Sequence, residues 1–119
     1  MRIQTTLHER ILITALDGEL DHMQAERIRA QVDAAFEKSS CKHIVIDMSN
    51  VTFMDSSGIG MIIGRYKNTE KRGGQVILTG MTDAVTKLYE ISGLAKIISR
   101  LATVEDALQK LSQGGVKSE

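Results

Sequence analysis

Hydrophobic and polar positions change rhythm several times along the chain, and each change marks an element. Ile3 to Leu7 and Arg10 to Leu16 are rich in β-branched residues and flank the polar pair His8-Glu9, a spacing that predicts two antiparallel strands with a tight connection. Asp17-Gly18 then reads as a turn. From Met23 the rhythm becomes helical: Met23, Ala25, Ile28, Val32, Ala35 and Phe36 recur on one face, while Glu26, Arg27, Arg29 and Asp33 fall elsewhere. Asp21 is placed to cap this helix, which should end near Lys38-Ser39-Ser40. Ile44-Val45-Ile46 follows without alternation, as in a central strand covered on both faces.

The second half alternates in the same way. A second helix is expected from about Gly58 to Arg72, where Gly73-Gly74 should stop it. Its first half, Ile59 to Ile63, is apolar almost all round, so it must be covered by the sheet or leave part of its surface to a partner. Gln75 to Thr79 reads as a buried strand closed by Gly80. Thr82 can cap a helix carrying Val85, Leu88 and Tyr89, which Gly93 can end in the left-handed conformation. Lys96 to Leu101 is a short strand, and Thr103 caps a last helix striped by Val104, Ala107, Leu108 and Leu111. The pattern predicts one α/β domain over residues 1–112, a mixed sheet with about four α-helices, and a flexible polar C-terminal tail over 113–119.

Composition narrows the functions this fold could carry. The chain has 119 residues, enough for a core without staples, and its 15 basic and 15 acidic residues cancel. Zero net charge, with no tryptophan to stack on bases, argues against nucleic-acid binding and favours a protein partner. Cys41 is the single cysteine and is expected to be a reduced thiol without a role. No stretch has the look of a leader or a membrane span, which predicts a soluble, cytoplasmic protein with no membrane partner.

Candidate chemistry gathers at Val51-Thr52-Phe53-Met54-Asp55-Ser56-Ser57-Gly58-Ile59-Gly60. Its polar centre lies between a strand and a helix, so Ser56 and Ser57 are presented where unpaired N–H groups and the macrodipole stabilise an anion such as a phosphate. The plain alternative is a well-capped helix. Enzyme readings fare poorly against their own requirements. No lysine follows the glycines, as a phosphate-binding P-loop needs, and the third glycine of Gly58-Ile59-Gly60-Met61-Ile62-Ile63-Gly64 comes one residue late for a dinucleotide fingerprint. Ser57 is not in a G-x-S-x-G elbow, although Asp55, a serine and a histidine could meet in space. His8, His22 and His43 fit no zinc spacing, and Asp21 with Asp55 would make an acid/base pair only if something separated their environments. Nothing here asks for a cofactor or a metal.

Gly18-Glu19-Leu20-Asp21-His22, Phe53 to Gly60, Ile63-Gly64-Arg65-Tyr66-Lys67 and Ile91-Ser92-Gly93-Leu94 together resemble the anti-sigma factor antagonists of the STAS domain family, most closely the sporulation type. The order and separations match over nearly the whole chain. The resemblance implies a mixed sheet with helices mostly on one side. It also implies a function: the unmodified protein binds an anti-sigma factor that is a serine kinase, releases a sigma factor, and is switched off when that kinase phosphorylates it. The family's acceptor is the serine after the Asp of its Asp-Ser-Ser/Thr-Gly motif, here Ser56, a choice that geometry alone does not make between Ser56 and Ser57. The partner-facing residues it implies are Glu19, Leu20 and Asp21 before the first helix, with Asp55, Ser57, Gly58, Ile59 and Gly60 around the acceptor. A serine phosphatase would reset a protein that is a monomer when free. Other readings are a STAS scaffold module in a signalling assembly, or a small serine-dependent or nucleotide-binding enzyme. The third helix begins Met81-Thr82-Asp83 where many relatives have a proline.

Overall fold

A computed structural model describes residues 1–117, with side chains through Ser112. The expected flexible tail begins at 113, so its side chains, and residues 118–119 altogether, lie outside the described residues. Five strands and four helices follow one another as β1 (Arg2–His8), β2 (Ile11–Leu20), α1 (His22–Lys38), β3 (His43–Met54), α2 (Ser56–Lys71), β4 (Val76–Thr79), α3 (Asp83–Ile91), β5 (Ser99–Leu101) and α4 (Val104–Lys117). A 3₁₀ turn, Leu94–Lys96, precedes β5, and of the strand expected over Lys96 to Leu101 only Ser99–Leu101 forms, Lys96 ending that turn and Ile97 and Ile98 lying in a turn and bend.

The strands lie in chain order, β1-β2-β3-β4-β5. Only β1 is antiparallel to its neighbour, joined to β2 by Glu9-Arg10. This turn falls one residue later than the sequence suggested, because His8 pairs with Ile11 and so remains in the strand. The other pairs are parallel and need crossover helices.

Side-chain alternation divides the core between the two sheet faces. Leu12, Leu16, Ile44, Ile46, Val76 and Leu78 face the larger cluster, where α1 brings Ile28, Val32 and Phe36, α2 brings Met61 and Ile62, and α3 brings Val85 and Tyr89. Ile11, Val45 and Ile77 face the other way onto Ala107 and Leu111 of α4. Three helices thus cover one face and one covers the other.

Two expectations about the strands fail for one reason. Asp17-Gly18 is no turn, since β2 runs through it to Leu20, and β3 continues well past Ile46 to Met54. Their ladder has register shifts between Ala15 and Asp17 and between Gly18 and Glu19; each leaves one extra residue on β3. Every such bulge reverses which parity of β3 faces the core. The buried residues accordingly run Ile44, Ile46, Met48, then Val51, then Met54, a spacing that stops looking like a strand. Gly18 has φ of 128°, which a side chain would strain, and a Cβ there would also approach Met1 at 3.2 Å.

Candidate functional site

Because β2 and β3 are parallel and end in register, Leu20 opposite Met54, the helices that follow begin side by side. Asp21 caps α1, its Oδ1 accepting from the Gln24 N–H at 3.0 Å. Asp55 caps α2 in the same manner, its Oδ1 accepting from the Ser57 N–H at 2.8 Å. The two starts are also tied directly, the Asp55 N–H donating to the Leu20 carbonyl at 3.4 Å. Helix α2 therefore begins at Ser56 rather than at Gly58, because Asp55 caps it immediately. Both serines belong to its first turn.

Their surroundings separate them. Ser56, the first helical residue, is exposed. Ser57 is half-buried, and its Oγ lies 3.5 Å from His22 Nδ1, the long limit of a hydrogen bond. Asp55, Ser57 and His22 do meet, as a catalytic triad would require, but the Asp55 oxygen is engaged with the Ser57 backbone rather than orienting the imidazole. Asp21 and Asp55 have the same job in like settings, so nothing makes one an acid and the other a base.

Several implied partner-facing residues play different parts. Glu19 and Gly60 are exposed and Ile59 is half-buried. Leu20, by contrast, is 0 % exposed, so its side chain belongs to the core and only its backbone reaches the site. Gly58 is buried as well; a Cβ there would run into the Met54 side chain and lie 3.2 Å from Leu20, so the glycine lets α2 settle onto the strand ends. Two apolar side chains were missed. Phe53 pairs in the ladder with Glu19 and is 47 % exposed, and Met23, in the first turn of α1, is 69 % exposed. Met23 follows the helical stripe in sequence and reads as core, whereas Phe53 is turned outward by the bulges of β3.

The remaining titratable groups stand apart. His43 is buried at the opposite end of β3, with Nδ1 accepting from the Gln75 N–H at 3.0 Å, and burial holds its pKa below the usual imidazole range. Cys41 is a buried free thiol. Among the described residues no three His, Cys, Asp or Glu are placed to hold a metal, and no helix is long and apolar enough to cross a membrane.

Comparison with known proteins decides the family, since the STAS domain profile matches residues 2–110. The chain belongs to the STAS domain family. An anti-sigma F factor antagonist of Paenibacillus polymyxa is 39 % identical over 111 residues, covering 93 % of this chain and 95 % of that protein. The solved anti-sigma factor antagonist SpoIIAA in its unphosphorylated form superposes with a TM-score of 0.84 at 32 % identity, covering 94 % of this chain and 97 % of its own. The phosphorylated form of SpoIIAA, described as a Bacillus cell fate determinant, gives 0.73 at 31 % identity, covering 92 % and 98 %. This STAS chain thus shares fold and most of its length with antagonists of anti-sigma factors.

Proposed function

We propose that this STAS protein is an anti-sigma factor antagonist switched by phosphorylation of Ser56. The observation that carries the reading is the position of Ser56: an exposed hydroxyl at the first position of α2, beside two acidic caps that the sheet register holds together. Relatives that bear the antagonist name, and a structural neighbour known in both phosphorylated and unphosphorylated forms, support it.

When Ser56 is unmodified, the face made by Glu19, Asp21, Asp55, Ser57, Ile59 and Gly60 binds an anti-sigma factor that is itself a serine kinase, and the sigma factor is released. Phe53 and Met23 extend this face with apolar area, while Leu20 and Gly58 shape it from beneath. The chain contributes binding rather than catalysis.

Phosphorylation adds about −1.5 to −2 charges at a helix start, where the dipole and free N–H groups tolerate them, so the fold survives. The interface does not. A phosphate among Asp55, Asp21 and Glu19 repels the kinase's bound nucleotide and leaves a desolvated charge unpaired at the contact. A serine phosphatase reverses the switch, and by linkage whatever favours the phosphorylated form lowers affinity for the kinase.

Mass spectrometry of the protein mixed with ATP and a candidate anti-sigma kinase tests this. Ser56→Ala should abolish labelling, while Ser57→Ala should leave a substantial part of it. Equal labelling of the two variants would overturn the assignment.

A further inference from the structure

Ser56 and Ser57 are adjacent hydroxyls in one helix turn, and the acidic cap before them does not tell them apart. The helix does so in part, because successive side chains leave it about 100° apart. Ser56 faces solvent, whereas Ser57 is half-buried and lines the cleft between α1 and α2 with His22, Ala25, Gly60 and Met61.

His22 meets Ser57 in that cleft. The imidazole stands exposed at the first position of α1, and its Nδ1 lies 3.5 Å from Ser57 Oγ, the one hydrogen-bond contact of either side chain among the described residues. Either tautomer engages the hydroxyl: a bare Nδ1 accepts its proton, and an Nδ1–H donates to one of its lone pairs. Neighbouring carboxylates are otherwise occupied. Asp21 Oδ1 accepts from the Gln24 N–H, Asp55 Oδ1 from the Ser57 N–H, and Glu26, one turn further along α1, is paired with Arg29 at 2.7 Å.

A serine that receives a phosphoryl group must bring its oxygen in line with the γ-phosphorus and lose its proton as the new bond forms. A hydroxyl tied to a ring on the next helix has first to break that contact and turn out of the cleft. We propose that His22 is a positioning residue that selects the phosphoacceptor: it holds Ser57 Oγ in the cleft and leaves Ser56 as the hydroxyl offered to the kinase. In the favoured transfer the oxygen–phosphorus bond forms at Ser56, the bond to the ADP leaving group breaks, and the hydroxyl proton passes to the kinase's base. His22 has this role only if the chain is a kinase substrate as proposed above, and the two readings fail separately.

The contact is tested in the protein alone. Ring nitrogen NMR shifts of His22 should move in Ser57→Ala and stay in place in Ser56→Ala; unmoved shifts in Ser57→Ala would overturn the proposal. Selection is tested by locating phosphoserine by mass spectrometry after incubation with ATP and an anti-sigma kinase, in a Ser56→Ala background where Ser57 alone is left to label. His22→Phe keeps a ring but offers neither donor nor acceptor, and should raise Ser57 labelling about three-fold, the low end of the scale of one hydrogen bond, as its length calls for. His22→Asn restores a donor and an acceptor near the place of Nδ1 and should bring the labelling back down, which a mere disturbance of the α1 start would not do. Equal Ser57 labelling in Ser56→Ala with and without His22→Phe, or no rescue by His22→Asn, overturns the selection by His22; if the parent is still labelled on Ser56, the switch itself stands. Phosphate on Ser57 of the parent overturns both.

Discussion

Asp21 and Asp55 are each a helix cap with one oxygen committed to its own first turn, Asp21 accepting from the N–H three residues on and Asp55 from the N–H two residues on. Asn caps a helix nearly as well as Asp, so Asp21→Asn should change stability by less than about 1 kcal/mol. Binding to the anti-sigma kinase should fall much further, because the variant removes charge from the proposed contact face. Melting curves and calorimetric titration separate the two: a large drop in melting temperature with unchanged binding would make Asp21 a structural cap and nothing more. Ser56 allows the complementary test. Ser56→Ala removes an exposed hydroxyl and should still bind the kinase, whereas Ser56→Asp puts a carboxylate at a helix start that tolerates it, within about 1 kcal/mol of the parent fold, and should bind far more weakly. Equal affinity for these two variants would remove charge repulsion as the cause of release. At this scale the caps were legible in the sequence, since few residue types accept helix N–H groups, but side-chain direction was not. Leu20 sits in an otherwise polar motif and points into the core, while Met23 follows the apolar stripe and points to solvent.

Among the elements, α2 depends on its contact with the end of β3. Gly58 sits against Met54 so closely that no Cβ fits without displacing that side chain. Alanine favours a helix over glycine by about 1 kcal/mol, yet overpacking costs about 1–3 kcal/mol, and the second effect should win. Gly58→Ala should therefore lower the urea midpoint; a raised midpoint would show that Met54 has room to move. Helix stops were also readable: Gly73 and Gly93 adopt φ of 74° and 83° at the ends of α2 and α3. Thr82 was read less well. It occupies the cap position of α3, but its hydroxyl donates to the Val51 carbonyl at 3.3 Å instead of capping, fastening the helix to β3. No local pattern announces a bond to a residue so distant in sequence. The length of β3 escaped for a similar reason, because alternation was the signal and the ladder shifts interrupt it.

Across the whole molecule, the proposed switch and the buried histidine His43 occupy opposite ends of β3. The strand ends by Asp21 and Asp55 carry the proposed contact face, and His43, at the start of β3, helps hold the other end by accepting from Gln75. Burial chiefly, then Lys42 and Arg10, depress the His43 pKa. The unfolded chain therefore binds a proton at pH values where the folded ring is still neutral, and stability rises with pH through that interval. This contribution is complete above about pH 6.5, the ordinary imidazole value, and is lost as pH falls below it toward the lower folded value. Urea midpoints measured between about pH 7.5 and pH 5, above the ordinary carboxylate range near 4, should decline, and His43→Gln should flatten the decline. An unchanged slope in that variant would assign the pH dependence to another group.

The two extra residues in β3 bear on how this chain can change length over evolution. Exposed Ser49 and Asn50 look like ideal places for an insertion or deletion, being polar and lying just beyond the apolar strand core. Removing one residue there would take out one reversal of parity, turn the side chains beyond it to the opposite face, and carry Met54 out of its seat beneath Gly58. The register that sets Asp55 beside Asp21 would slip with it. The number of residues here is therefore under a tighter constraint than exposure suggests, a ruler written in spacing rather than in residue type.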